Sequence, residues 1–202
     1  AFVVLDGRGG VQGYASHDKK NHEMIVVEAG FKSPEVFPAL TAELARRAVA
    51  IRAGDLEFLL PFDHPYADHL HRWNAEHRVT LFKNSQGMAR ILHLEPLLKL
   101  CAPDLAVRAR LLGKRPWSLA LVTDAGSATL GYGSGGIRVS AGAAGALRAR
   151  LPQSLMTQVI MGYRGAEEAS AEKGVRIPPR AREILEVLFP RDFPYMWAAD
   201  RF

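Results

Sequence analysis

Between residues 63 and 77 the chain gathers Asp63, His64, Asp68, His69, His71 and His77, the side-chain types that bind zinc. The spacing argues against a metal centre. His69 and His71 differ by two and splay apart on a helix, so a solvated loop–helix surface is the better reading. Gly131-Tyr132-Gly133-Ser134-Gly135-Gly136 invites comparison with a phosphate cradle. A cradle needs glycines that aim backbone N–H groups from a helix N-terminus, and these lie between two strand-like runs, as a hairpin turn does. The single cysteine, Cys101, falls on the apolar face of a helical pattern and reads as inert core. No Gly-x-Ser-x-Gly occurs, so covalent hydrolase chemistry has no support. The end of the chain remains. From Leu188 to Phe202 two prolines exclude a helix or central strand, and Phe193, Tyr195, Trp197 and Phe202 crowd together. Left in water, their apolar area would cost ~25 cal/mol per Å². Either these rings patch the core, or they dock an extended tail in a groove and hold the carboxylate of Phe202 in a fixed place.

The 202 residues allow one large domain or two small ones, and 48% hydrophobic with 23% charged residues is an ordinary globular composition. No run of about 18 apolar residues exists to span a membrane. One cysteine precludes an internal disulfide and fits a reducing, cytoplasmic compartment. The apolar run Phe2–Leu5, with no initiator Met before it, leads to the expectation that the chain is part of something longer. Residues 1–90 carry 11 basic and 11 acidic side chains, and residues 91–202 carry 15 and 10, which supplies the whole net charge of +5. The arginines of the second half are dispersed from Arg108 to Arg201, so we expect a generic basic surface and no nucleic-acid site.

These residues must be placed by an α+β scaffold. Phe2–Leu5, Val11–Ser16 and Met24–Val27 read as an antiparallel meander, with turns at Asp6–Gly10 and Asp18–Asn21. Ser33-Pro34 opens a helix, with Val36, Phe37, Leu40, Leu44, Ala48 and Ile51 on one face, a Glu43–Arg47 pair outside, and Gly54 as its C′ stop. Leu56–Pro61 has the pattern of a buried strand, Tyr66–Asn74 that of a short helix, and Arg78–Phe82 and Met88–Leu92 those of strands. A helical pattern over Pro96–Leu112 should kink or break at Pro103. Trp117–Val122, Ala128–Tyr132 and Ile137–Ser140 form a second meander, and Ala141–Ala146 a loop or a first helical turn. Pro152–Tyr163 is a helix with Leu155, Met156, Val159, Ile160 and Tyr163 inward. A short helix starts at Gly165, and a last one runs from Pro178-Pro179 to Pro190. The composition shifts near residue 90.

The stretch Leu151–Ala166, which contains Gly162-Tyr163-Arg164, leads to the closing Phe193-Pro194-Tyr195-Met196-Trp197-Ala198-Ala199-Asp200-Arg201-Phe202. Together they resemble the C-terminal part of the Eis-type (enhanced intracellular survival) N-acetyltransferases of the GNAT superfamily. Arg90–Pro103 is also similar to the start of that family's last domain. The resemblance covers residues 91–202 well and 1–90 moderately. It implies a three-part parent: an N-terminal GNAT domain that binds acetyl-CoA, a central degenerate GNAT domain, and a sterol-carrier-like domain. Residues 1–90 would be a partial, degenerate GNAT-like domain with a mixed sheet, and residues 91–202 the sterol-carrier-like α+β domain.

A working GNAT domain carries Arg/Gln-x-x-Gly-x-Gly/Ala at its strand–helix junction, so that backbone amides hold the pyrophosphate. The corresponding stretch reads Glu28-Ala29-Gly30-Phe31-Lys32-Ser33-Pro34-Glu35. It lacks the glycines, loses an N–H at Pro34 and places Glu35 toward the phosphates. We therefore expect acetyl-CoA to belong to the full-length protein and not to be bound by this chain. The resemblance further gives the carboxylate of Phe202 the role of catalytic base for a small-molecule amine substrate. A free α-carboxyl titrates near pH ~3.5, and burial would raise it. The missing N-terminal GNAT domain and further copies of the chain, in a homo-oligomer, are the implied partners. Two other functions are a lipid-binding module lined by Leu155, Val159, Leu185 and Leu188, and a scaffold without chemistry of its own.

Overall fold

The computed structural model describes residues 1–61, 63–78 and 88–197. It divides into two compact units, Ala1–Gly87 with Tyr195–Phe202, and Met88–Pro194.

In the first unit β1 (Phe2–Leu5), β2 (Val11–Lys20) and β3 (Glu23–Phe31) form an antiparallel meander, and β4 (Asp55–Phe58) adds in parallel to β3. β2 and β3 are longer than expected: β2 runs through Asp18–Lys20, and the turn sits at Asn21-His22, where Asn21 takes φ +55°. The reason lies in a bulge. Ser16 pairs with Glu28 but His17 pairs with Val26, leaving Val27 as an extra residue. The buried set therefore runs Met24, Val26, Ala29 instead of keeping strict alternation, and a sequence reader sees the strand end where its phase slips.

Ser33 precedes a 3₁₀ turn at Pro34–Val36 that leads into α1 (Phe37–Ala50). Phe37, Leu40, Leu44 and Ala48 recur every three or four residues and are buried against Met24, Val26 and Ala29. On the opposite side Glu43 pairs with Arg46 at 2.6 Å and Arg47 at 2.7 Å. These hydrogen bonds hold its carboxyl at about 2. Gly54 is not the helix stop. Arg52 is the left-handed residue, at φ +54°, with Arg52 N–H donating to Val49 O and Ala53 N–H to Ala48 O, the Schellman pairing. Gly54 N–H instead reaches back to His22 O at 2.7 Å, beside the start of β4. Nor is the Leu56–Pro61 run a buried strand. Only Asp55–Phe58 pairs, at the sheet edge, with Asp55 and Glu57 exposed. α2 (Pro65–His71) follows. The expected strand over Arg78–Phe82 lies largely outside the described residues. The one over Met88–Leu92 is absent: that stretch carries no ladder, and only Ile91 is buried.

In the second unit the sheet order is β7-β6-β5-β8. β5 (Trp117–Thr123), β6 (Gly126–Gly133) and β7 (Gly136–Ala141) form the expected meander. β8 (Leu147–Arg150), missed in the sequence, pairs in parallel with β5. α3 (Leu94–Ala109) does not break at Pro103. Pro103 and Lys99 both lie on the exposed side, so the Lys99 carbonyl that loses its donor is open to water. Cys101 is half-buried against the core. α4 (Gln153–Ile160), α5 (Ala166–Ser170) and α6 (Pro179–Leu188) complete the unit. Leu155, Met156, Val159, Ile184, Leu185 and Leu188 share one core with Leu98, Leu105, Leu119, Leu121 and Leu130. Tyr163, expected inside, is 61% exposed, because α4 ends at Ile160 and Gly162 turns left-handed before it.

Candidate functional site

The feature of the first unit with chemical possibilities is the place where its two parallel strands part. β3 and β4 pair from Glu23↔Asp55 to Val26↔Phe58, and Leu59 N–H still donates to Val26 O at 2.9 Å. Beyond it Leu60-Pro61 leaves the ladder, and Pro61 has no N–H with which to continue it. β3 goes on to Phe31, paired only with β2.

Side chains of the same unit bridge the parted strands. The Tyr195 hydroxyl donates to Leu59 O at 3.1 Å. Tyr195 packs edge-on against Trp197 at 5.4 Å between ring centroids, and Trp197 against His64 at 6.0 Å. His64 in turn meets Phe31 of β3 at 5.4 Å. Its Nδ1 accepts Tyr66 N–H at 3.2 Å as the N-cap of α2, which leaves the proton of the neutral ring on Nε2. Burial lowers the His64 pKa, opposed by Asp63 and by a hydrogen bond with the Ala29 backbone. The neutral ring is thus the form that serves the cap.

Below this layer, Thr41 hydrogen-bonds both Phe37 O at 2.8 Å and the buried Tyr66 hydroxyl at 2.9 Å. Burial pushes the Tyr66 phenol up. His69 stacks on Tyr66, and its Nε2 is buried without a hydrogen-bond partner. His71 faces His77 instead. Among the described residues no three histidine, cysteine or carboxylate side chains come together to hold a metal.

The strand–helix junction does not fit a pyrophosphate. Gly30 lies opposite Tyr14, and a Cβ there would meet the Tyr14 ring at 2.4 Å. Gly30 therefore makes room for that ring, whose hydroxyl donates to Glu28 at 2.5 Å, and not for a ligand. Pro34 opens the first turn without an N–H, and Glu35 carries a negative charge within it.

Phe202, the residue to which the resemblance gives a chemical role, lies outside the described residues; the tail is described as far as Trp197. Sequence reasoning found the tail's aromatic content but missed His64 and Leu59 as its partners. A histidine directly before Pro65, at a helix start, was the available signal. In the second unit Leu155, Val159, Leu185 and Leu188 are all buried within its core. Among the described residues no helix is long and apolar enough to cross a membrane.

Mixed sheets that each join an antiparallel meander to one parallel strand, with six helices among the described residues, make an α+β chain whose fold is similar to part of solved GCN5-related N-acetyltransferase structures. The likeness is to solved structures. A conserved Enterococcus faecalis V583 protein of unknown function, described as a probable N-acyltransferase, is 15% identical, with a TM-score of 0.56 over 94% of this chain and 46% of that one. A GCN5-related N-acetyltransferase from Kribbella flavida is 16% identical, with a TM-score of 0.55 over 91% of this chain and 45% of that one. One from Anabaena variabilis ATCC 29413 is 11% identical, with a TM-score of 0.52 over 91% and 46%. The chain thus spans slightly under half the length of these structures. No protein-family model and no curated protein matches the sequence.

Proposed function

We propose that this chain is the C-terminal part of an acetyl-CoA-dependent N-acetyltransferase of the Eis type: a degenerate GNAT domain followed by a sterol-carrier-like domain. It shapes the pocket for an amine and supplies the carboxylate of Phe202 as base, while acetyl-CoA binds the N-terminal GNAT domain of the longer protein. The observation that supports the reading is the tail's contact with the first unit. Tyr195 bonded to Leu59 O, and Trp197 seated against His64, anchor the chain five residues before its last carboxylate. Anchoring of this kind restricts where that carboxylate can reach. The likeness in fold to N-acetyltransferases supports acyl transfer as the reaction class, and the junction at Gly30–Glu35 supports a domain that has given up the cofactor.

The test is to delete Phe202 in the longer protein and measure kcat. Loss of a positioned general base is expected to lower it by about 10²-fold or more; an unchanged kcat refutes the carboxylate role. Calorimetric titration of this chain with acetyl-CoA is expected to give no heat of binding. Tight binding would refute the division of labour. A lipid-binding module is not favoured, because the side chains that would line its cavity fill the core of the second unit.

A further inference from the structure

α3 is apolar on two opposite sides. Leu94, Leu98, Leu105 and Ala109 face the core of the second unit, with Cys101 packed against it. The other side carries Pro96, Leu100, Pro103 and Val107, all exposed, and the 3₁₀ turn Arg110–Leu112 that continues the helix adds Leu111. Leu100 and Leu111 are 81% exposed and Val107 is 60% exposed. Apolar side chains scattered singly over a surface need no explanation, but an aligned row does. Spacings of four, three, four and four confine these residues to an arc of roughly 80° on the helix, the pattern of a helix-pairing seam. The core uses only the inner side, so packing within the unit does not account for the outer one.

The seam has the area that a pair of copies needs. Together with Leu92, 77% exposed just ahead of the helix, it presents roughly 400 Å² of apolar surface, as much as a monomer ordinarily shows in one patch. Two copies would cover about 800 Å² of apolar area. At the roughly two-thirds apolar share of homodimer interfaces, that makes a total of about 1,200 Å², enough for a specific contact. Lys99, Asp104 and Arg110 flank the seam as a polar rim, and Lys99 is paired with Glu95 of its own helix. The seam is also its own complement when reversed. Pro96 and Leu111, and likewise Leu100 and Val107, lie at equal distances on either side of the point between Pro103 and Asp104. Two antiparallel copies therefore set Leu100 against Val107 twice and Pro96 against Leu111 twice. A two-fold interface has to match itself in this way.

We propose that the outer side of α3 joins two copies of this chain, with the helices antiparallel about a two-fold axis that passes between Pro103 and Asp104. The seam stands apart from the acyl-transfer reading and does not depend on it.

Sedimentation equilibrium of the full chain across the micromolar range tests this. A monomer–dimer equilibrium is expected. Leu100→Glu with Val107→Glu, both at exposed positions, should weaken it at least tenfold with the circular dichroism unchanged. Val49→Glu, at a 77% exposed site of α1, should leave it unaltered. Disulfide trapping in a Cys101→Ala background reads the orientation. Asp104→Cys should cross-link to itself, and Pro96→Cys to Leu111→Cys in a mixture, whereas Leu111→Cys alone should not. A chain that stays monomeric, a dimer indifferent to the two glutamates or equally weakened by Val49→Glu, or self-linked Leu111→Cys would each overturn the proposal.

Discussion

Replacing Gly162 by Ala tests how the tail is launched. α4 ends at Ile160, and Gly162, at φ +75°, turns the chain back, with Gly162 N–H donating to Val159 O and Tyr163 N–H to Gln158 O. The returning tail crosses this turn: Asp192 N–H donates to Gly162 O at 2.8 Å. A Cβ on Gly162 would lie 3.0 Å from both Pro190 O and Asp192 Cβ. Two costs follow. An L-residue held left-handed costs about 1–2 kcal/mol. Pushing the tail away sacrifices the Asp192 bond, about 0.5–1.5 kcal/mol. Gly162→Ala should therefore destabilise the second unit by roughly 2–3 kcal/mol. Gly162→Asn separates the terms, since asparagine tolerates the left-handed region but still carries the obstructing Cβ. It should cost about 1 kcal/mol less than alanine. Because a chain with two compact units need not unfold in a single step, the urea transition is followed by Trp117 fluorescence in a Trp73→Phe, Trp197→Phe background. Trypsin cleavage after Arg191 reports the tail and should be several-fold faster in Gly162→Ala. A loss below about 0.5 kcal/mol with unchanged cleavage would refute the reasoning, since that is the range of neutral surface substitutions.

Two further outcomes concern the first unit, whose unfolding is reported by Trp73 and Trp197 in a Trp117→Phe background. Arg52→Gly should stabilise it by about 0.5–1 kcal/mol, the left-handed penalty relieved less the entropy of a glycine; a lower urea midpoint would contradict this. Acidification should destabilise it. Burial holds His17, His64 and His69 below their ordinary value, so between the folded and unfolded values the unfolded chain binds more protons. Their contribution is complete above pH ~6.5 and is lost as pH falls through the folded values. His64→Asn keeps an N-cap acceptor without a titrating ring, and should flatten the fall in melting temperature from pH 7.5 to 5; an unaltered slope would remove His64 from the account.

What was legible in the sequence was local. The face of α1 is written at spacings of three and four after a Ser-Pro start, and the β5–β7 meander by glycine turns between apolar runs. What was not legible depended on partners distant in the chain. Leu147-Arg148-Ala149-Arg150 carries two charges in four residues and becomes a strand only because β5 offers it a parallel edge. The bulge at Val27 is a property of the β2–β3 pair, not of either strand. Arg52, not Gly54, takes the left-handed position, and the Gly54 N–H meets His22 O, a partner thirty-two residues earlier. The candidate site divides along the same line. The aromatic residues and prolines of the tail left open whether its rings patch the core or dock an extended segment; Tyr195 and Trp197 touch the Leu59 carbonyl and the His64 ring, while Phe193 stays exposed. Their receptors, the Leu59 carbonyl and the His64 ring, lie more than a hundred residues earlier, and no local pattern marks them as a pair.

This asymmetry bears on how the tail works. A segment that carries its own anchoring rings needs from the fold only a carbonyl that has left the sheet and a ring face, both of which a parting strand pair provides. The chain's junction residues, Tyr14 over Gly30 and Pro34-Glu35 at the first turn, do not fit a pyrophosphate, whether or not Tyr195 and Trp197 are in place. Trp197→Ala should therefore loosen the tail without creating acetyl-CoA affinity. If calorimetry found that this single change let the chain bind acetyl-CoA, the junction would be competent after all, and the tail alone would be what excludes the cofactor.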